Sequence, residues 1–225
     1  FLGDDELNSK NPINRIIRLF LGLFLFAVGI VMTINANLGL APWDVFHKGL
    51  SSTFSITMGE ASIAVGFIIV IIAFFLGERI GWGTVFNMYF IGYFIDILML
   101  NNLIPTFDSY FLRIFMMLGG MFVIGCGSVA YIGAELGSGP RDGLMIALTK
   151  KTNRPVSFIR NAIEMSALLV GYLLGGTLGI GTVIMSLSIG YFVQFAFKIF
   201  NFDVNNINHR YIDEDIVMLK EKFIR

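Results

Sequence analysis

Asp44 and Asp142 are the first residues to weigh for chemistry, because each closes a Leu-Gly-x-x-Pro-x-Asp string and the two strings lie 98 positions apart. The first reads Leu38-Gly-Leu-Ala-Pro-Trp-Asp44 and the second Leu136-Gly-Ser-Gly-Pro-Arg-Asp142. Glycine followed by proline stops one helix, and proline suits the first turn of the next. A carboxylate two residues later has two uses. It can cap the fold by answering free amides and the positive end of a helix dipole. As one of a facing pair it can instead hold a cation or a proton.

Glu164 is the sharper candidate for function. It lies about 10 Å along an apolar segment entered near Ser157, where a charge costs several kcal/mol unless it is paired or hydrated. Arg160 and Asn161 precede it by four and three residues and share its helix face. The opposing reading is a local Arg160–Glu164 pair that reaches back to the interface. Its counterpart 98 positions earlier is Gly66, so the repeat does not require a carboxylate there. Arg141 stands beside Asp142 where the first string has Trp43. Asp96 and its counterpart Gln194 are polar residues inside otherwise apolar runs, which suits bundle contacts or the wall of a cavity. Asp44, Asp142, Arg141, Arg160, Glu164, Asp96 and Gln194 are therefore the candidate substrate- or ion-binding residues. Glu60 reads as an ordinary helix-start carboxylate, and His47 with Lys48 as the solvated side of a short helix.

Nothing in the chain marks an enzyme. Nucleophile-elbow, HExxH and paired-cysteine patterns are absent, and Gly81-x-Gly-Thr lacks the lysine of a phosphate loop. One cysteine and two histidines offer no metal spacing, and no cofactor is expected. Zero net charge gives no electrostatic case for nucleic acid.

The elements that must position these residues are membrane spans. The chain of 225 residues is 56% hydrophobic and 14% charged, with mean hydropathy +0.76, against about 25% charge in a soluble domain. Apolar runs predict six spans near 15–35, 59–77, 83–100, 111–133, 157–176 and 182–200. Pro42 to Phe54 and Pro140 to Lys151 are too short to cross, so each reads as an interfacial or re-entrant helix. Residues 1–14 are a polar lead-in, 101–110 a linker between halves, and 201–225 a charged tail in which Tyr211 to Phe223 suits a surface helix. Arg15 and Arg18 before the first apolar run resemble the start of a signal peptide, but the same segment recurs in mid-chain from Arg113.

The two halves, 15–100 and 111–200, are copies of one unit. At the fixed offset, about 24 of some 80 aligned positions are identical. They include Gly22/Gly120, Gly29/Gly127, Gly81-x-Gly-Thr-Val at 81–85 and 179–183, and Ile-Gly-Tyr-Phe at 91–94 and 189–192. Fourteen of the sixteen Lys and Arg fall in alternate extramembrane segments beginning with the lead-in, which puts both termini in the cytoplasm. Three spans per unit then turn the second copy over. The predicted fold is all-α: two inverted three-span repeats, each with a short helix after its break.

At LGLAPWDVFHKGL (38–50), ERIGWGTVFNMYFIGYFID (78–96), LGSGPRDGLMIAL (136–148) and GGTLGIGTV (175–183) the chain resembles the YczE-type bacterial membrane proteins, related to the YitT-type. The resemblance spans residues 15–200 and implies a multi-pass bacterial plasma-membrane protein, without implying a reaction. Repeat and buried charge together favour a small secondary transporter or exporter of a small molecule or ion, bound between the halves. The alternative is a non-transporting substrate-binding or assembly subunit working with a partner protein. Expected partners are the lipid bilayer, a small-molecule or ion ligand, and a second copy or a membrane subunit docked on the strip Gly171, Gly175, Gly179.

Overall fold

The computed structural model describes residues 12–203, 207 and 209–217. The predicted lead-in through residue 11 and the tail beyond residue 217 lie outside them. Among the described residues the chain is helical, without strands, and eight helices follow in order. They are α1 (Pro12–Asn35), α2 (Pro42–Phe54), α3 (Met58–Phe75), α4 (Trp82–Leu100), α5 (Tyr110–Ile132), α6 (Pro140–Thr152), α7 (Val156–Leu173) and α8 (Ile180–Ile199). Six of them, all but α2 and α6, are long and apolar enough to cross a membrane. Each falls within three residues of its predicted bounds. Adding 98 to the bounds of α1–α4 reproduces those of α5–α8 to within one residue.

Why the helices stop is written in the same residues twice. Gly39 and Gly137 take φ +123° and +122°, a region that suits glycine alone, and a Cβ on either would press on Thr182 or Thr84 at 2.7 Å. Pro42 and Pro140 then open α2 and α6 from extended Ala41 and Gly139. Both short helices end on a left-handed residue, Ser55 and Asn153.

The core is built on α1 and α5, which run antiparallel and approach at small residues: Gly22 meets Tyr131, Gly29 meets Gly120, and Gly127 meets Phe26. An aromatic ladder of Phe20, Phe24, Phe86, Phe90 and Phe94 joins α1 to α4. The breaks clasp across the halves. Gly181 N–H donates to Leu38 O at 2.7 Å, and Gly83 N–H donates to Leu136 O at 2.6 Å. The expected strip Gly171/Gly175/Gly179 is not a free docking face. Gly171 is filled by the Val45–Phe46 backbone of α2, and Gly179 by Leu38.

Asp96 has a specific job. Its carboxylate accepts the Gly59 N–H at 2.8 Å and the Thr57 hydroxyl, tying the end of α4 to the start of α3. Thr57 and Glu60 complete a capping box there, as the helix-start reading of Glu60 anticipated. Asp96→Ala removes two charge-assisted bonds and is expected to lower stability by about 2 kcal/mol. Asp96→Asn should keep part of that in detergent unfolding curves.

Residues 212–217 are helical, so the surface helix predicted in the tail begins where expected. The tail docks beside the second break: Arg210 N–H donates to Glu135 O at 2.8 Å, and Ile212 N–H to Ile80 O at 3.1 Å. Arg79 binds Asp213 at 2.7 Å and Glu214 at 2.8 Å and lies over Tyr211, while the Trp82 indole donates to Asp215 at 3.1 Å. The Arg79 hydrogen bonds hold the Asp213 carboxyl below the usual carboxylate range. A depressed pKa favours docking above the ordinary range and loses it as pH falls through the depressed value. With Trp43→Phe removing the second indole, Trp82 emission should stay constant from about pH 8 to about pH 5 and shift below that. Asp213→Asn should flatten the acid limb.

Candidate functional site

Sequence places Trp43 and Arg141 at one position of the two copies, and the fold puts them in contact. The Arg141 guanidinium lies 4.6 Å from the Trp43 ring centroid, a cation–π arrangement across the first turns of α2 and α6. Arg141 also stands within electrostatic reach of Asp44, Asp142, Tyr131 and Glu164. Four of the seven candidates are thereby gathered at one guanidinium.

Both aspartates stand in the first turns of α2 and α6, where a carboxylate favours the positive end of the helix dipole, and neither Ala41 nor Gly139 ahead of them caps its helix with a side chain. Asp44 is only 4% exposed and faces His47, with Oδ1 3.7 Å from Nδ1. Asp142 accepts the Tyr131 hydroxyl at 3.3 Å and senses Arg160 and His209. The pair also differs in access: Asp44 is buried, whereas Asp142 is exposed even though it sits among those groups. One copy of the break is shut and the other is open.

Glu164 pairs with Arg160 at 3.1 Å on α7, as spacing predicted, and lies within electrostatic reach of Arg141. Asp96 lies elsewhere, at the α3–α4 seam, and its counterpart Gln194 is exposed on α8. Lys150 reaches Glu78 at 2.8 Å, and Arg15 binds the Ala134 and Glu135 carbonyls at 2.8 Å, so these two basic residues hold loops rather than the site.

Three members were missed by sequence reasoning. His47, read as a solvated residue, is 2% exposed, and its Nε2 has no hydrogen-bond partner among the described residues. Asp44 at i−3 was the available signal, since the two share a helix face. Tyr131 breaks the repeat, standing where the first copy has Thr33. Trp43 breaks it too. Carboxylates, a guanidinium, a phenol and an imidazole around an aromatic floor can exchange protons and bind a small charged or polar solute.

The family of unknown function DUF6198 matches residues 13–198. The "Uncharacterized membrane protein YczE" of Bacillus subtilis is 36% identical, over 79% of this chain and 82% of its own length. An uncharacterized protein of Haemophilus influenzae is 32% identical, over 80% and 82%, and the "Uncharacterized protein YyaS" of Bacillus subtilis is 26% identical, over 73% and 83%. No solved structure matches the chain. With the match running from the start of α1 almost to the end of α8, and with both breaks inside it, this chain is a membrane protein of the DUF6198 family and of the YczE type.

Proposed function

We propose that the chain is a small secondary transporter of a hydrophilic ion or small molecule, built as two inverted three-span repeats with one site between them. The observation that carries this reading is Arg141, lodged on Trp43 and within electrostatic reach of Asp44, Asp142 and Glu164. A guanidinium held among carboxylates from both halves is the kind of charge balance that a bound solute or proton can shift. The inverted relation is supported by the antiparallel α1 and α5 and by reciprocal contacts: Gly181 on Leu38 and Gly83 on Leu136 are the same bond with the copies exchanged. Such reciprocity is what a pseudo-two-fold axis produces. Short helices whose first turns meet at that axis are read as re-entrant, and the basic side, with both termini, as cytoplasmic. The carboxylate–imidazole pair Asp44–His47 fits proton coupling.

Counterflow in proteoliposomes across a panel of small cations, anions and neutral solutes tests the reading. Wild type should move one class of solute, and Glu164→Gln should change its pH dependence or slow it at least about tenfold. Flux in no class, with the variant indistinguishable, would sink the idea. The partner-subunit reading draws less support, because two of the three glycines in its docking strip are already filled from within the chain.

A further inference from the structure

The halves differ most where the second and third spans of each unit should face one another. In the first half α3 and α4 are zipped. A Cβ on Gly59 would stand 2.1 Å from Gly92 O, one on Gly92 would stand 2.6 Å from Ile63 Cγ1, and one on Gly66 would stand 2.9 Å from Met88 Cγ. Asp96 latches that seam through Gly59 and Thr57. At the counterpart of Gly92, Gly190, a Cβ would meet nothing within 4 Å, and α7 and α8 do not pack along their lengths. They are also the least buried of the six long helices.

The residues change with the packing. Gly59, Ile63 and Gly66 on α3 become Ser157, Asn161 and Glu164 on α7. Met88, Gly92 and Asp96 on α4 become Ser186, Gly190 and Gln194 on α8. The latch has no counterpart, because Pro155 replaces Thr57 and Gln194 replaces Asp96. A close apolar seam has given way to a separated polar one. Ser157, Asn161, Ser186 and Gln194 are all exposed, and so is Asp142, which lies within electrostatic reach of Arg160 on α7. Polar side chains exposed at the depth of the hydrocarbon are costly unless water reaches them.

We propose that the cleft between α7 and α8 is the water-filled route to Asp142 and Arg141, and that this seam is the one that moves. Closure would bring α8 onto α7 as α4 now sits on α3, sealing the route to Asp142. The turn at 174–179 joins the two helices at one end, so the cleft opens at the other, beside Arg160 and Lys198. It admits hydrophilic solutes and rejects apolar ones. The inference rests on the transporter reading for its purpose, though not for its test.

Single cysteines placed in a Cys126→Ser background decide it, read with a cationic methanethiosulfonate reagent that attacks only hydrated thiolates. Ser186→Cys and Gly190→Cys lie in the cleft, Leu187→Cys on the 71%-exposed neighbouring face, and Met88→Cys in the zipped seam. The two cleft positions should react at least about tenfold faster than the other two. Equal rates at Ser186→Cys and Leu187→Cys would overturn the route, because lipid or a second copy then fills the cleft. For the movement, Asn161→Cys with Gly190→Cys mirrors the contact of Ile63 with Gly92 and should form a disulfide under mild oxidation. A labelled cleft in which this pair never joins would overturn the closure. Labelling needs no flux, so a hydrated cleft in a protein inert in counterflow would remove the transporter reading alone.

Discussion

Arg141→Ala should destabilise the protein by about 3 kcal/mol, the range seen when one partner of a buried charge cluster is removed. The loss is not chiefly the contact with Trp43, which is worth about 1 kcal/mol at a partly desolvated site. It comes from Asp44, which is 4% exposed and would lose the guanidinium that offsets the cost of burying its carboxylate. The decisive measurement is therefore a double-mutant cycle in detergent unfolding. Asp44→Asn in the Arg141→Ala background should recover at least half the loss, because it removes the stranded charge. Asp142→Asn should recover less, since Asp142 is exposed and already answered by the Tyr131 hydroxyl. A loss below about 1 kcal/mol for Arg141→Ala, with no rescue, would show that these groups do not act as one buried charge system.

The second large effect separates two neighbouring glycines. A Cβ on Gly120 would stand 2.8 Å from Gly29 O and 2.9 Å from Thr33 Cγ2, whereas one on Gly119 would meet only Met32 Cε at 3.5 Å. Gly120→Ala must push the α1 backbone away and should cost about 2 kcal/mol, and Gly120→Leu should leave little folded protein. Gly119→Ala should be neutral or stabilising by up to about 1 kcal/mol, because alanine is the better helix former and nothing rigid opposes it. Gly22, the counterpart of Gly120, should behave as Gly120 does: a Cβ there would stand 2.4 Å from Tyr131 N. Thermal unfolding of the four variants in one detergent gives the order directly. Equal effects at 119 and 120 would mean that helix propensity, not the α1–α5 crossing, sets stability here.

The helices were legible because the bilayer demands long apolar runs, and the sequence supplies six of them broken by Gly and Pro. The clasp at Leu38 and Leu136 was half legible. The repeat marked both loops as special, but only the fold shows that each binds the start of the last span in the other half. Side-chain placement was least legible where pattern and environment diverge. His47 lies on a short helix that reads as amphipathic, and the apposition of α2 with α7 buries its polar face, a contact between distant parts of the chain. Asp44 and Asp142 do stand in the first turns of α2 and α6 as the repeat suggested, but their different neighbours, His47 for one and Tyr131 for the other, were not legible from the shared string. The departures from the repeat were the better guide: Trp43 against Arg141, Thr33 against Tyr131, and Gly66 against Glu164 all lie at or near the shared site.

The reciprocal clasp also bears on how the chain is made. Leu136 must reach Gly83, and Leu38 must wait for Gly181, a partner 143 positions later in synthesis. The first half therefore enters the bilayer with one of its own loop carbonyls unanswered and the start of α4 uncovered. Neither half is a finished folding unit, because each supplies the last closing bond of the other. Assembly is completed only when α8 has emerged, because the bond on Leu38 closes a separation of 143 positions. The reciprocal bonds make the two halves one indivisible molecule rather than two joined ones.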